Sequence, residues 1–80
     1  MKLWIDNLPA RVTRQELQAL LTRYGFPAFD AIMDVPGGGE HPGALLTYRT
    51  LDADGLRRLA DRMNGLYWKQ CRLLVQVMQR

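Results

Sequence analysis

The 80 residues contain a single cysteine, Cys71. That excludes an internal disulfide and any multi-cysteine metal site, and it fits a reducing compartment. No apolar run approaches the roughly 18 residues needed to span a bilayer, and no basic-then-apolar leader precedes the first apolar strand. A soluble, cytoplasmic chain without membrane contact is expected. Histidine is equally scarce, since His41 stands alone. One histidine, one cysteine and scattered carboxylates assemble no nucleophile–base pair. The glycine run Gly37-Gly38-Gly39 is not followed by the Gly-Lys-Ser/Thr of a phosphate loop. Neither an enzyme nor a cofactor is expected. Lysine is sparse too: nine of the 11 cations are arginine, which suits phosphate and base stacking better than lysine does. The net charge of +3 by itself carries little weight.

What the chain does hold is enough apolar material for one small core. At 48% hydrophobic residues it is far from a disordered composition. A chain this short buries only about 60% of the surface it exposes unfolded, so one domain over residues 1–80 is expected. Leu3-Trp4-Ile5-Asp6-Asn7-Leu8 reads as a strand, with Leu3 and Ile5 alternating against Lys2, Trp4 and Asp6. Asn7-Leu8-Pro9 then opens a loop through Arg11. Thr13-Arg14-Gln15-Glu16 has the form of a capping box, with Val12 and Leu17 placed for a hydrophobic staple. Leu17, Leu20, Leu21 and Tyr24 follow as one helical stripe, ended by Gly25 and Pro27.

Phe29 to Val35 is a second strand by composition. Phe29, Ala31, Met33 and Val35 form its more apolar face, and Asp30, Ile32 and Asp34 the other. Residues 36–42 read as a mobile loop, and Gly43 to Arg49 as a third strand. A second helix is expected over Ala53–Met63, capped by Asp52, with the stripe Leu56, Leu59, Ala60, Met63. Asn64-Gly65 closes it. Leu66 to Cys71 is a loop holding Tyr67 and Trp68, and Arg72 to Met78 is the last strand.

The order β-α-β-β-α-β is the ferredoxin-like, α+β arrangement: a four-stranded antiparallel sheet with two helices on one face. The expected core is Leu3, Ile5, Leu17, Leu20, Leu21, Ala44, Leu46, Leu56, Leu59 and Val75. With Leu3 and Ile5 inward, Trp4 stands on the open face, where it is either a packing oddity or a platform for something flat.

Over essentially its whole length the chain resembles the RNA-recognition motif (RRM) family. Leu3-Trp4-Ile5-Asp6-Asn7-Leu8 matches that family's hexamer (aliphatic, aromatic, aliphatic, any, Asn, Leu) at every position. The octamer, K/R-G-F/Y-G/A-F-V-x-F/Y, falls on His41-Pro42-Gly43-Ala44-Leu45-Leu46-Thr47-Tyr48. Ala44, Leu46 and Tyr48 keep its core positions. His41 replaces the cation, Pro42 the glycine, and Gly43 and Leu45 the two stacking aromatics. The closing pattern is met by Asn64-Gly65, Leu73 and Val75. Acylphosphatases share the topology, but Asn7-Leu8-Pro9-Ala10-Arg11 lacks the glycines of their phosphate cradle.

The resemblance implies single-stranded RNA as partner, held on the open face by Trp4, Lys2, Asp6, Gly43, Leu45, Thr47, Leu74 and Gln76, with His41 in the adjoining loop. Stacking is worth about 1–3 kcal/mol per base, so losing two platforms forfeits roughly 2–6 kcal/mol. Weak binding of low sequence selectivity follows. The rival is a protein-interaction module, or a homodimer, using Leu45, Leu74 and Ile32 beside Trp4 as an apolar contact. Restoring the aromatics, by Gly43→Phe and Leu45→Phe, is expected to leave stability nearly unchanged.

Overall fold

The computed structural model describes residues 1–35 and 42–78. Four strands form one antiparallel sheet in the order β2 (Ala31–Val35), β3 (Gly43–Thr47), β1 (Lys2–Asp6), β6 (Leu74–Met78). Two helices, α1 (Arg14–Arg23) and α2 (Ala53–Met63), complete the β-α-β-β-α-β layout. The period-two pattern of β1 explains its central place. Leu3 and Ile5 are fully buried on the helix side, facing Leu46 and Ala44 of β3 and Val77 and Val75 of β6. Tyr48 prolongs this ladder, its backbone N–H donating to the Met1 carbonyl at 2.9 Å.

Both helices start where their caps say. Thr13 Oγ1 accepts from the Glu16 N–H at 3.1 Å while Glu16 Oε1 accepts from the Thr13 N–H at 3.0 Å. Asp52 Oδ1 accepts from the Gly55 N–H at 2.7 Å. Leu17, Leu20 and Leu21 of α1 and Leu56, Ala60 and Met63 of α2 bury against the sheet. Leu59, expected in the core, is only half-buried at its margin, beside Gly25. Asp54 pairs with Arg57 at 3.7 Å on the exposed side of α2.

The inward face of β2 is the reverse of the one its composition favoured. Ile32 lies opposite Leu46 and packs on the core, while Met33 lies opposite Leu45 and is 61% exposed. Register with β3 settles the matter, because cross-strand partners share a face. Ile32 therefore leaves the expected apolar contact and Met33 joins it.

The segment after α2 is a hairpin and not a loop. β4 (Tyr67–Trp68) pairs with β5 (Cys71–Arg72), Tyr67 opposite Arg72 and Trp68 opposite Cys71. Its two-residue turn holds Lys69 and Gln70 at φ 49° and 66°, the left-handed pair that a type I′ turn requires. Lys69 is fixed there by an ion pair with Glu16 and lies 5.5 Å from the Trp68 ring centroid. The hydrogen bond from Lys69, then that from the Thr13 N–H, holds the Glu16 carboxyl below its ordinary pKa. Trp68 packs on the core beside α1, in a cleft with Ala19, Leu20 and Arg23. The last strand is interrupted at Leu73, which pairs with Leu66.

Asn7, the hexamer asparagine, sits at φ 64°. This left-handed conformation suits asparagine better than most side chains. Its Nδ2 donates to the Arg72 carbonyl at 2.8 Å, which ties the hairpin to the end of β1.

Tyr48 is fully buried against Phe26, with ring centroids 5.8 Å apart. Its hydroxyl has no hydrogen-bond partner among the described residues. Burial pushes the phenol above its ordinary value near 10. Tyr48→Phe removes a desolvated polar atom and keeps the ring, so it will stabilise the fold by about 1 kcal/mol. The raised pKa also fixes the pH dependence. Stability from the neutral phenol is full below its unfolded value and is lost as pH rises beyond it. Urea unfolding at neutral and alkaline pH will show a gain at both and a flatter alkaline limb in Tyr48→Phe.

Among the described residues no helix is long and apolar enough to cross a membrane.

Candidate functional site

The sheet face opposite the helices is built by alternation. β1 gives it Lys2, Trp4 and Asp6, β3 gives Gly43, Leu45 and Thr47, and β6 gives Leu74, Gln76 and Met78. β2 adds Ala31 and Met33. Register sets them in rows. Met33, Leu45, Trp4 and Gln76 cross the sheet together, with Ala31, Thr47, Lys2 and Met78 as the parallel row beside them. Asp6 and Leu74 are partnered in the next row along β1 and β6.

Trp4 is the centre of this surface. Its indole does not stand upright but lies diagonally across the neighbouring strand, over Gly43. A Cβ on Gly43 would come within 2.6 Å of Trp4 Cζ2 and 3.1 Å of Cζ3. Glycine is thus the side chain that lets the ring lie down, and Gly43 is buried beneath it. Gly43 presents no surface of its own. The ring occupies the space above the octamer's first missing aromatic, so one aromatic covers two strand positions. Gly43→Phe is accordingly not the surface change expected from alternation alone.

On the β6 side of the indole is a cavity of about 410 Å³ lined by Trp4, Asp6, Asn64, Leu74, Val75 and Gln76. Its lining combines an aromatic ring, aliphatic side chains, a carboxylate and amides. Asp6 Oδ1 accepts from the Asn7 N–H at 2.8 Å. A carboxylate has further lone pairs to offer a donor. A larger depression of about 510 Å³ lies elsewhere, between α1 and the start of β2, lined by Arg14, Gln18, Phe29 and Asp30. It touches the open face only at its rim, through Ala31.

Of the residues expected at the site, Trp4, Lys2, Asp6, Leu45, Thr47, Leu74 and Gln76 share the one face. His41 lies outside the described residues, as do residues 36–40 of the expected loop. Sequence reasoning missed Met33 and Met78, 61% and 39% exposed on the same face. Alternation along β6 was enough to place Met78, whereas Met33 needed the β2–β3 register. The face is nearly neutral: among its described residues Lys2 is the cation and Asp6 the anion. Arg14 and Arg23 belong to α1, and Arg57, Arg58 and Arg62 to α2, on the other side of the sheet. No group of three or more potential metal ligands occurs among the described residues.

No protein-family model matches the sequence, and no curated protein matches it. Solved structures do. The chain is similar to the RRM3 of Pes4 at 23% identity and TM-score 0.77, over 99% of this chain and 92% of that one. It is similar to the N-terminal three RNA-binding domains of the yeast splicing factor Prp24 at 19% identity and TM-score 0.78, over 99% and 33%. It is also similar to the RRM of Rna15 with bound RNA (GU), at 12% identity and TM-score 0.73, over 99% and 83%. The chain has the RRM fold.

Proposed function

We propose that this chain binds single-stranded RNA on the open face of its sheet, weakly and with low sequence selectivity, in the cytoplasm and without catalysis. The observation that carries the reading is Trp4, laid flat over Gly43 beside a cavity walled by Asp6, Leu74 and Gln76. A horizontal indole on an open sheet is a stacking surface for a base, and every base has a face to stack. The RRM of Rna15, which shares the fold, holds RNA.

The same geometry argues for weakness. One aromatic serves where the family's pattern has more, and Leu45 supplies contact without a π-face. With Lys2 as the face's cation, few phosphates are neutralised, so the salt dependence will be shallow. Thr47 and Gln76 provide hydrogen bonds to base edges.

The decisive experiment is NMR titration with a mixed-sequence single-stranded RNA pool. The largest shifts will fall on β1, β3 and β6, and Trp4→Ala will weaken binding about ten-fold. Shifts concentrated on α2 would contradict the placement.

The exposed apolar residues favour one second reading. Met33, Leu74 and Met78, with Leu45 between, form an apolar border around Trp4 of the kind that marks a protein contact. A homodimer through this face would appear in sedimentation as a mass that rises with concentration and falls on Leu74→Asp.

A further inference from the structure

We propose that the β4–β5 hairpin is a second nucleotide platform, in which Tyr67 stacks a base farther along the strand seated on Trp4 and Arg72 binds a phosphate between the two. The proposal rests on the RNA reading above and extends it to residues outside the sheet.

Four observations carry it. First, Tyr67 is 67% exposed, more than Met33, Leu74 or Met78. Trp68, its neighbour on the same strand, turns to the other side and packs on the core, and Cys71 is buried with it. The hairpin therefore has an inner face, Trp68 and Cys71, and an outer face, Tyr67 and Arg72.

Second, that outer face continues the open face of the sheet. Burial alternates without a break along Cys71, Arg72, Leu73, Leu74, Val75 and Gln76, the odd positions buried and the even ones exposed. Arg72 is thus turned the same way as Leu74 and Gln76, and Tyr67 is its cross-strand partner.

Third, the hairpin is held in place at both ends. Asn7 Nδ2 fixes the Arg72 carbonyl to the end of β1, and the Lys69–Glu16 ion pair fixes the turn to α1. A platform ordered before binding loses less entropy when the ligand arrives.

Fourth, the chemistry complements what the sheet lacks. Arg72 is exposed and no ion pair among the described residues engages it. Its planar guanidinium suits phosphate. From Gln76, beside Trp4, to Arg72 is four residues, about 13 Å at the strand rise. The cavity lined by Asp6, Leu74 and Gln76 lies along that line. A strand seated on Trp4 and running along β6 thus crosses the cavity and reaches the hairpin, avoiding β3, where the octamer has lost its aromatics.

The test compares a single-stranded dinucleotide, too short to span both platforms, with mixed-sequence RNA of roughly ten nucleotides, titrated by fluorescence anisotropy into the full chain. Tyr67→Ala will weaken the longer RNA about ten-fold and leave the shorter unchanged, while Tyr67→Phe will bind both like the parent. Arg72→Ala will weaken the longer RNA and lower its salt slope by about one phosphate. Arg58→Ala, on the outer face of α2, will change neither. Tyr67 and Arg72 are exposed, so thermal unfolding will show every variant folded. If Trp4→Ala weakens both RNAs while Tyr67→Ala and Arg72→Ala bind them like the parent, the hairpin platform is overturned and the sheet site stands. If the parent binds neither RNA, both readings fall.

Discussion

Replacing Leu46 with alanine will lower the unfolding free energy by about 2–5 kcal/mol, read as a drop in urea midpoint at unchanged slope. Leu46 is fully buried in β3, opposite Leu3 on one side and Ile32 on the other. Truncation removes its transfer free energy and leaves a void, which neighbours held in sheet register cannot collapse to fill. At about 0.05–0.15 kcal/mol per residue, a chain of this size is stable by roughly 4–12 kcal/mol. The loss is then a large share of the whole. A loss below about half a kcal/mol would mean that Leu46 is not where the two strands meet.

Gly43→Phe will cost up to about 3 kcal/mol and move the Trp4 indole, seen as a shift in its fluorescence. The Cβ alone meets the ring, so the new side chain and the indole cannot occupy the same ground. Leu45→Phe, two residues on, replaces a half-buried side chain on the same face and will change stability by about half a kcal/mol. The double variant Gly43→Phe with Trp4→Ala separates crowding from any other defect. With the indole gone, phenylalanine has the room that the ring held, and most of the loss will be recovered. The two sites are in contact, so a coupling of about 0.5–3 kcal/mol is expected. A Gly43→Phe variant as stable as the parent, with unmoved fluorescence, would show that the indole does not rest on the glycine.

Period and caps carried most of the fold. The capping box at Thr13, the stripes at Leu17 and Leu56, and the in–out pattern of Leu3 and Ile5 each specify a local structure that tertiary packing then confirms. β2 was illegible because both of its faces hold apolar residues, and only pairing with β3 chooses between Ile32 and Met33. The hairpin was hidden for another reason. Its turn, Lys69-Gln70, lacks the glycine or asparagine that such backbone angles usually require, and is held by contacts far away in sequence, to Glu16. At the site, alternation placed Trp4, Lys2, Asp6, Leu45, Thr47, Leu74 and Gln76 together. It could not show that a long aromatic side chain reaches sideways onto the next strand, since period two says which face a residue occupies and not what it covers.

The turn that follows α2 has a bearing on how this sheet meets other chains. Asn64 Oδ1 accepts from the Val75 N–H at 3.0 Å, and Gly65 and Leu66 exchange backbone hydrogen bonds with Leu73. The first half of the outer border of β6 is therefore already spent on the chain's own connection. A foreign strand that sought to extend the sheet there would first have to peel away the segment that joins α2 to β6. Templated growth of the kind that seeds fibrils is thereby blocked along this stretch of β6, and the borders at which it can begin are the rest of β6 and the edge formed by β2.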